Sequence, residues 1–187
     1  DSAYNNLSFE NINLKFCRFT LHLHKRTTND AILGELGRYP MYIDIVTRMC
    51  KYWNKIKSAP HQSLLGDAYL TDCDLTNNGI NSWKSSIQFI NKSLRTEHLN
   101  TNNPNKILVV IKKKLKDQYD QKWNDSIHND KRKSQSANNK LRTYRTFKNI
   151  FKFEKYIDLV TNPKEKLELL KFRISAHKLA IETGRYN

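Results

Sequence analysis

The sequence predicts an all-α fold, and three observations carry that expectation. Glycine and proline are scarce, 5 and 4 in 187 residues, too few for a chain folded on tight β-turns or for a glycine-rich nucleotide-binding fold. Long stretches free of either breaker separate them. Within those stretches apolar residues recur at intervals of three and four, the period of a helix that buries one face. The expected architecture is a two-part helical bundle. A compact N-terminal bundle spans residues 7–96, a polar loop with asparagine at 100, 102, 103 and 105 spans 97–105, and a basic helical arm spans 105–186.

Taken in order, the first helix is expected from Phe9 to Leu23, on a stripe of Phe9, Ile12, Phe16, Phe19 and Leu23. Thr27, Thr28 and Asn29 offer capping oxygens to a short helix over Asp30–Leu36, which Gly37 ends in the left-handed conformation that glycine tolerates best. Pro40 suits the first turn of the next helix, where no amide donor is needed. Its apolar face is read as Tyr42, Ile45, Met49, Trp53 and Ile56, with Arg48, Lys51 and Lys55 on another face. After the break at Ser58-Ala59-Pro60, a helix runs through Leu64, Leu65, Ala68 and Tyr69 to Leu75 and closes at Asn77-Asn78-Gly79. Ser82 caps a further helix carrying Trp83, Ile87, Phe89, Ile90 and Leu94.

In the second half Ile107, Ile111, Leu115, Tyr119 and Trp123 form a strict four-residue stripe, the mark of an amphipathic helix. Residues 125–139 are polar, with only Ile127 to bury, and are expected to be a mobile linker. Helix then resumes, with Leu141, Tyr144, Phe147 and Phe151 on one face. A last helix after Asn162-Pro163 carries Leu167, Leu170, Ile174, His177 and Ile181 and stops at Gly184.

Chemistry in the catalytic sense finds no foothold. The six histidines, at 22, 24, 61, 98, 128 and 177, include no pair at the i,i+4 spacing that sets two imidazoles on one helical face, so no metal site is expected. Cys17, Cys50 and Cys73 are odd in number, widely spaced and set among apolar residues, which reads as reduced thiols rather than a disulfide frame or zinc cluster. Asp67, Asp72 and Asp74 cluster near a helix end, but no second carboxylate group stands by to share a divalent ion, and Asp72 and Asp74 are read as solvated. No nucleophile elbow or phosphate-cradling loop occurs, and neither an enzymatic activity nor a cofactor is expected. With no long apolar run and no signal-peptide pattern, the chain reads as soluble and intracellular, nuclear or cytoplasmic, with no membrane partner. It begins at Asp1 without methionine and ends on Gly184-Arg185-Tyr186-Asn187, which reads as a piece of a longer protein.

Charge is the informative feature. The chain carries 33 Lys and Arg against 18 Asp and Glu, a net +15. Residues 105–156 hold 15 basic and 5 acidic side chains, so two thirds of the excess lies in that one segment. A polyanion is the partner such a segment fits, because each cation that neutralises a phosphate releases condensed counterions. The residues expected to touch phosphate are Lys112, Lys113, Lys116, Lys131, Arg132, Lys133, Lys140, Arg142, Arg145 and Lys148, with Lys51 and Arg185 as lesser candidates. Arg38 is read either as a further contact or as a structural arginine tied to a carboxylate such as Glu35. Aromatic residues interleave with the cations at Tyr119, Trp123, Tyr144, Phe147, Phe151, Phe153 and Tyr156, and at helical spacing such rings are more often core than base-stacking surface.

Three sets of phrases resemble a known family. Leu14-Lys15-Phe16-Cys17-Arg18, Thr28-Asn29, Gly34-Glu35-Leu36-Gly37-Arg38-Tyr39-Pro40 and Lys51-Tyr52-Trp53 resemble the segment just after the polymerase core in the proteins of non-LTR, LINE-like retrotransposons. Lys140-Leu141-Arg142-Thr143-Tyr144-Arg145 with Phe153-Glu154-Lys155-Tyr156 resembles a later part of it. Lys171-Phe172-Arg173-Ile174-Ser175-Ala176-His177 and Ile181-Glu182-Thr183-Gly184-Arg185-Tyr186 resemble the phrase standing before a cysteine/histidine-rich zinc element. The resemblance implies a non-catalytic, nucleic-acid-binding region of an RNA-directed DNA polymerase. Such a region would grip template RNA or target DNA during target-primed reverse transcription, with the rest of the polymerase as its second partner. The rival expectation is a helical scaffold that packs on the polymerase core or a host protein, which apolar residues left exposed would favour. A third is a basic helix over Ile107–Trp123 lying on an anionic membrane surface.

Overall fold

A computed structural model describes residues 8–25, 27–97, 104–128, 141 and 143–174. The fold is all-α: α1 (Ser8–Thr20), α2 (Asn29–Glu35), α3 (Met41–Lys57), α4 (Leu64–Asn77), α5 (Trp83–Ser93), α6 (Pro104–His128), the single turns α7 (Tyr144–Phe147) and α8 (Tyr156–Leu159), and α9 (Pro163–Arg173). Among the described residues the β-type pairing is one isolated antiparallel bridge between Leu36 and Phe153. Two compact units emerge, one of Asp1–Met41 with Tyr119–Asn187 and one of Tyr42–Gln118. The division therefore falls elsewhere than the polar loop 97–105, because the first two helices belong with the C-terminal part of the chain.

The reason lies at the end of α2. Glu35 is fully buried and accepts hydrogen bonds from Arg173 Nη2 at 2.9 Å, from Arg173 Nε at 3.1 Å and from the Tyr156 hydroxyl at 2.5 Å. A buried carboxylate is tolerable only when paired and hydrogen-bonded in this way. Arg173 also reaches Glu154 at 3.2 Å and lies over the rings of Tyr156 and Phe147. The Glu154 amide donates to the Glu35 carbonyl at 2.9 Å beside the Leu36–Phe153 bridge. Burial opposes the Arg173 charge, yet its bonds to Glu35 and the charges of Glu35 and Glu154 hold the guanidinium above its ordinary pKa. Burial first, then the Glu35 charge and hydrogen bond, push the Tyr156 phenol well above 10.0.

Gly37 makes the approach possible. Its φ is +53°, and a Cβ there would stand 2.1 Å from the Phe153 amide nitrogen, so the left-handed stop read from sequence also serves a backbone contact. Nearby, Phe151 meets Tyr39, Tyr119 and Trp123 at ring-centroid distances of 4.8, 5.3 and 5.2 Å. Trp123 Nε1 donates to the Asp30 carbonyl at 2.8 Å.

Several expected faces are corrected. Helix α1 ends at Thr20 and buries Glu10, Asn13, Leu14 and Cys17, leaving Ile12, Phe16 and Phe19 exposed. Glu10 is drawn inward because it accepts the Met41 amide at 2.8 Å, at the start of α3, and the Asn13 side chain at 3.0 Å. Thr28 occupies the N-cap of α2 without a side-chain cap bond, and Asn29 accepts from Arg18 instead. Only one turn, α7, forms where the helix was expected to resume; it buries Tyr144 and leaves Phe147 exposed. The stretch expected as a linker starts helically, since α6 runs to His128 and Ile127 is fully buried; 129–139 lie outside the described residues, as do His177, Ile181 and Gly184.

In the unit Tyr42–Gln118, α3 buries Ile43, Val46, Cys50, Trp53 and Ile56. The stripe read from sequence is thus rotated by one residue over its first half, a change that two overlapping apolar series with the same spacing permit. Trp53 packs against Tyr69 of α4, with centroids 5.4 Å apart. Helix α5 buries Ile87 and Ile90, while Phe89 faces outward. Ser82 caps it as expected, in a reciprocal box with Ser85. Asp72, read as solvated, instead accepts the amides of Trp83 and Lys84 at 3.0 and 2.7 Å, where a carboxylate suits the positive end of the helix. The four-residue stripe of α6 is buried from Ile111 to Ile127, with Ile107 half-buried.

Two outcomes follow from the Glu35 cluster. Arg173→Ala, which strands a buried carboxylate, should cost about 3–5 kcal/mol in denaturant unfolding, whereas Lys171→Ala, which breaks only the pair of half-buried Lys171 with solvated Glu168 on α9, should cost under about 1 kcal/mol. The raised phenol of Tyr156, and of Tyr144 for the same first cause of burial, contributes stability that is full below the unfolded value of 10.0 and lost as pH rises past it. Phenolate absorbance and helicity should therefore change together above about pH 10, and Tyr156→Phe should uncouple part of the change.

Candidate functional site

Helix α3 sets three cations in a row. Arg48, Lys51 and Lys55 are separated by three and four residues, so they share one face, and all three are exposed. With Tyr52, Asn54 and Ser58 of α3 or its end, and Asn105 and Leu108 of α6, they line an open groove of about 550 Å³. No carboxylate stands among the lining residues. None of the three cations is ion-paired among the described residues. A row of unneutralised cations over a helical rise of about 10 Å is what an extended anion would meet.

The position of this row follows from the packing of α3. Because Ile43, Val46, Cys50 and Trp53 turn inward, Arg48, Lys51, Tyr52 and Lys55 turn outward. Tyr52 remains 42% exposed and stands 5.3 Å from the ring of Trp83, the first residue of α5, with the two planes inclined at 43°.

The residues expected from sequence to contact phosphate fare differently. Lys112, Lys113 and Lys116 lie on α6 in the same unit as Lys51. Lys113 is exposed and Lys116 half-buried, while Lys112 pairs with Asp44 at 2.9 Å. Both partners of that pair are solvated, so it holds Lys112 only weakly. Lys114, between them, is structural: its ammonium donates to the carbonyls of Leu94 and Arg95 at 2.8 and 3.1 Å, where α5 ends on Arg95 in a left-handed conformation.

In the other unit Arg145 donates to the His128 carbonyl at 3.1 Å, a bond that closes the end of α6. Lys148 is a correction. It is 2% exposed, pairs with Glu154 at 2.5 Å and donates to the Lys152 carbonyl, so its ammonium is enclosed by protein and cannot meet a phosphate. Burial draws its pKa below the ordinary value, against the pull of Glu154. Arg38 is a correction of another kind: its guanidinium lies 5.9 Å over the Phe16 ring, and Glu35 is taken by Arg173. Lys131, Arg132, Lys133, Lys140, Arg142 and Arg185 lie outside the described residues.

Reasoning from net charge alone put its weight on 105–156 and left Arg48 and Lys55 off the list of contacts. The signal was there in the spacing of 48, 51 and 55, a basic stripe on a helix whose other face is apolar. Among the described residues no group of three or more His, Cys, Asp or Glu is placed to hold a metal ion, and no helix is long and apolar enough to cross a membrane. Cys17 and Cys50 are buried thiols, each raised in pKa first by burial, and neither is poised as a nucleophile.

A second surface feature lies in the unit that contains α1. Ile12, Phe16 and Phe19 are 66, 56 and 75% exposed along one face of that helix. Phe16 also borders a hollow of about 330 Å³ with Cys17, Thr20, Leu36, Gly37 and Arg38. No protein-family model, curated protein or solved structure matches the chain.

Proposed function

We propose that this chain is a non-catalytic nucleic-acid-binding region, gripping RNA or DNA through its phosphate backbone, within a retrotransposon-type RNA-directed DNA polymerase. The observation that carries the reading is the groove along α3, where Arg48, Lys51 and Lys55 stand together with no carboxylate among the lining residues. Lys113 and Lys116 on α6 add to the charge of the same unit. The net +15 of the chain steers any polyanion toward it. The phrases that resemble the post-polymerase region of LINE-like elements supply the biological setting, with the remainder of the polymerase as a partner and an intracellular location. Asn54 and Ser58 bring neutral hydrogen-bonding groups to the groove, suited to sugar hydroxyls and base edges.

A specific observation favours a second reading. The exposed Ile12, Phe16 and Phe19 form a short apolar face, and such a face suits a helical scaffold that packs on another protein. The two readings use different units and differ in how they respond to salt.

Fluorescence anisotropy with labelled single-stranded RNA, single-stranded DNA and duplex DNA tests the first. Affinity should fall steeply with salt, and replacing Arg48, Lys51 and Lys55 together by Ala should flatten the log–log slope by about 2, at roughly 0.7 per phosphate on a single strand. An unchanged slope removes the groove from the contact. Absence of binding at low salt leaves the apolar face of α1 as the better account of the chain.

A further inference from the structure

We propose that Tyr52 and Trp83 form a base-stacking shelf beside the α3 groove, so that the groove takes an unpaired strand in preference to a duplex. The inference rests on the groove being a phosphate grip and goes on to name what the grip selects.

Tyr52 lines the groove among its cations, next in sequence to Lys51. Tyr52 is 42% exposed and Trp83 36% exposed. The other two tryptophans, Trp53 and Trp123, are buried at 8 and 2%, so this fold can enclose an indole and does not enclose Trp83. Centroids 5.3 Å apart with planes inclined at 43° are too tilted for the rings to cover one another face to face. Two exposed aromatic residues, one of them among the cations of the groove, fit one ligand chemistry well, a phosphodiester chain whose bases are free to leave their own stack. In a duplex the base faces are already occupied by neighbouring pairs, whereas an unpaired base of any identity can stack on an aromatic ring. The shelf therefore adds strand selectivity without sequence selectivity. It serves RNA and DNA alike, since the ring meets the base and not the sugar.

The test uses the full 187-residue chain and four probes: a labelled oligothymidylate, the same backbone with abasic sites in place of the bases, a duplex of equal length, and polyglutamate as an anion without bases. The base-bearing strand should bind more tightly than the other three. Tyr52→Ala should weaken that strand by about tenfold, the scale of one stacked base, and leave the abasic strand unchanged, while Tyr52→Phe should keep the wild-type affinity. Binding of oligothymidylate should also quench tryptophan emission, and Trp83→Phe should remove the quench because the remaining indoles are buried. Equal affinity for abasic and base-bearing strands, or a Tyr52→Ala loss of the same size on both, overturns the shelf while the phosphate grip stands. Polyglutamate binding as well as the strand overturns it in favour of an acidic protein partner. No binding of any strand at low salt brings down the grip and the shelf together.

Discussion

A carboxylate withdrawn from water must find countercharge and hydrogen bonds, and Glu35 finds them in Arg173 and Tyr156, 138 and 121 positions further along the chain. Much of the architecture answers to that requirement. The end of α2 must lie beside α8 and α9, the backbone at Phe153 and Glu154 must come close enough to bridge Leu36 and Glu35, and Gly37 must lack a side chain where the two segments meet. Lys148 and Glu154 extend the cluster, and its charges balance only as a set. Removing one member leaves another stranded. Several of the phrases that resemble the retrotransposon family, Gly34-Glu35-Leu36-Gly37, Phe153-Glu154-Lys155-Tyr156 and the Lys171-Phe172-Arg173 run, supply these residues. Packing and charge pairing account for those phrases without any contact to a ligand.

The unit Tyr42–Gln118 is organised by a different economy of charge. Its cations are divided between structural work and open surface. Lys114 is spent on the carbonyls that end α5, and Lys112 is loosely paired with Asp44. Arg48, Lys51 and Lys55 have neither duty among the described residues. Their side chains remain exposed along the groove, at no desolvation cost in the free chain. The contrast with Lys148 is instructive: one lysine is enclosed and neutralised, another is open and uncompensated, and composition counts them equally.

Sequence made the longer helices legible, and the reasons are local, while the two single turns α7 and α8 were not read from it. Ser82 before Trp83, Asn162 before Pro163 and Gly37 after α2 are signals that act within a few residues, and each stands where such a signal places it. The core faces were less legible. In α1 the more apolar stripe is outside, because Glu10 and Asn13 are held inward by partners that no periodicity encodes. In α3 two overlapping stripes have the same spacing, and only packing against the rest of its unit selects Ile43 and Val46 over Tyr42 and Ile45. The division of the chain was illegible for a similar reason. A polar, asparagine-rich loop looks like a boundary, yet the pairing that defines the units joins residues far apart in sequence. Of the expected contacts, Lys51, Lys112, Lys113 and Lys116 fall in one unit, while Lys148 turned out to be core because its partner Glu154 gives no periodic signal.

On the proposed function one face of α3, and not charge in general, meets the nucleic acid. Photocrosslinking of a single-stranded oligonucleotide to the full chain, with the attached peptides mapped, tests this most directly because it reports place rather than affinity. Crosslinks should concentrate on the peptide holding Lys51 and Tyr52, with a second cluster at Trp83. Crosslinks confined to α1, or to the basic stretch around Lys131–Lys133 with none on α3, would contradict it.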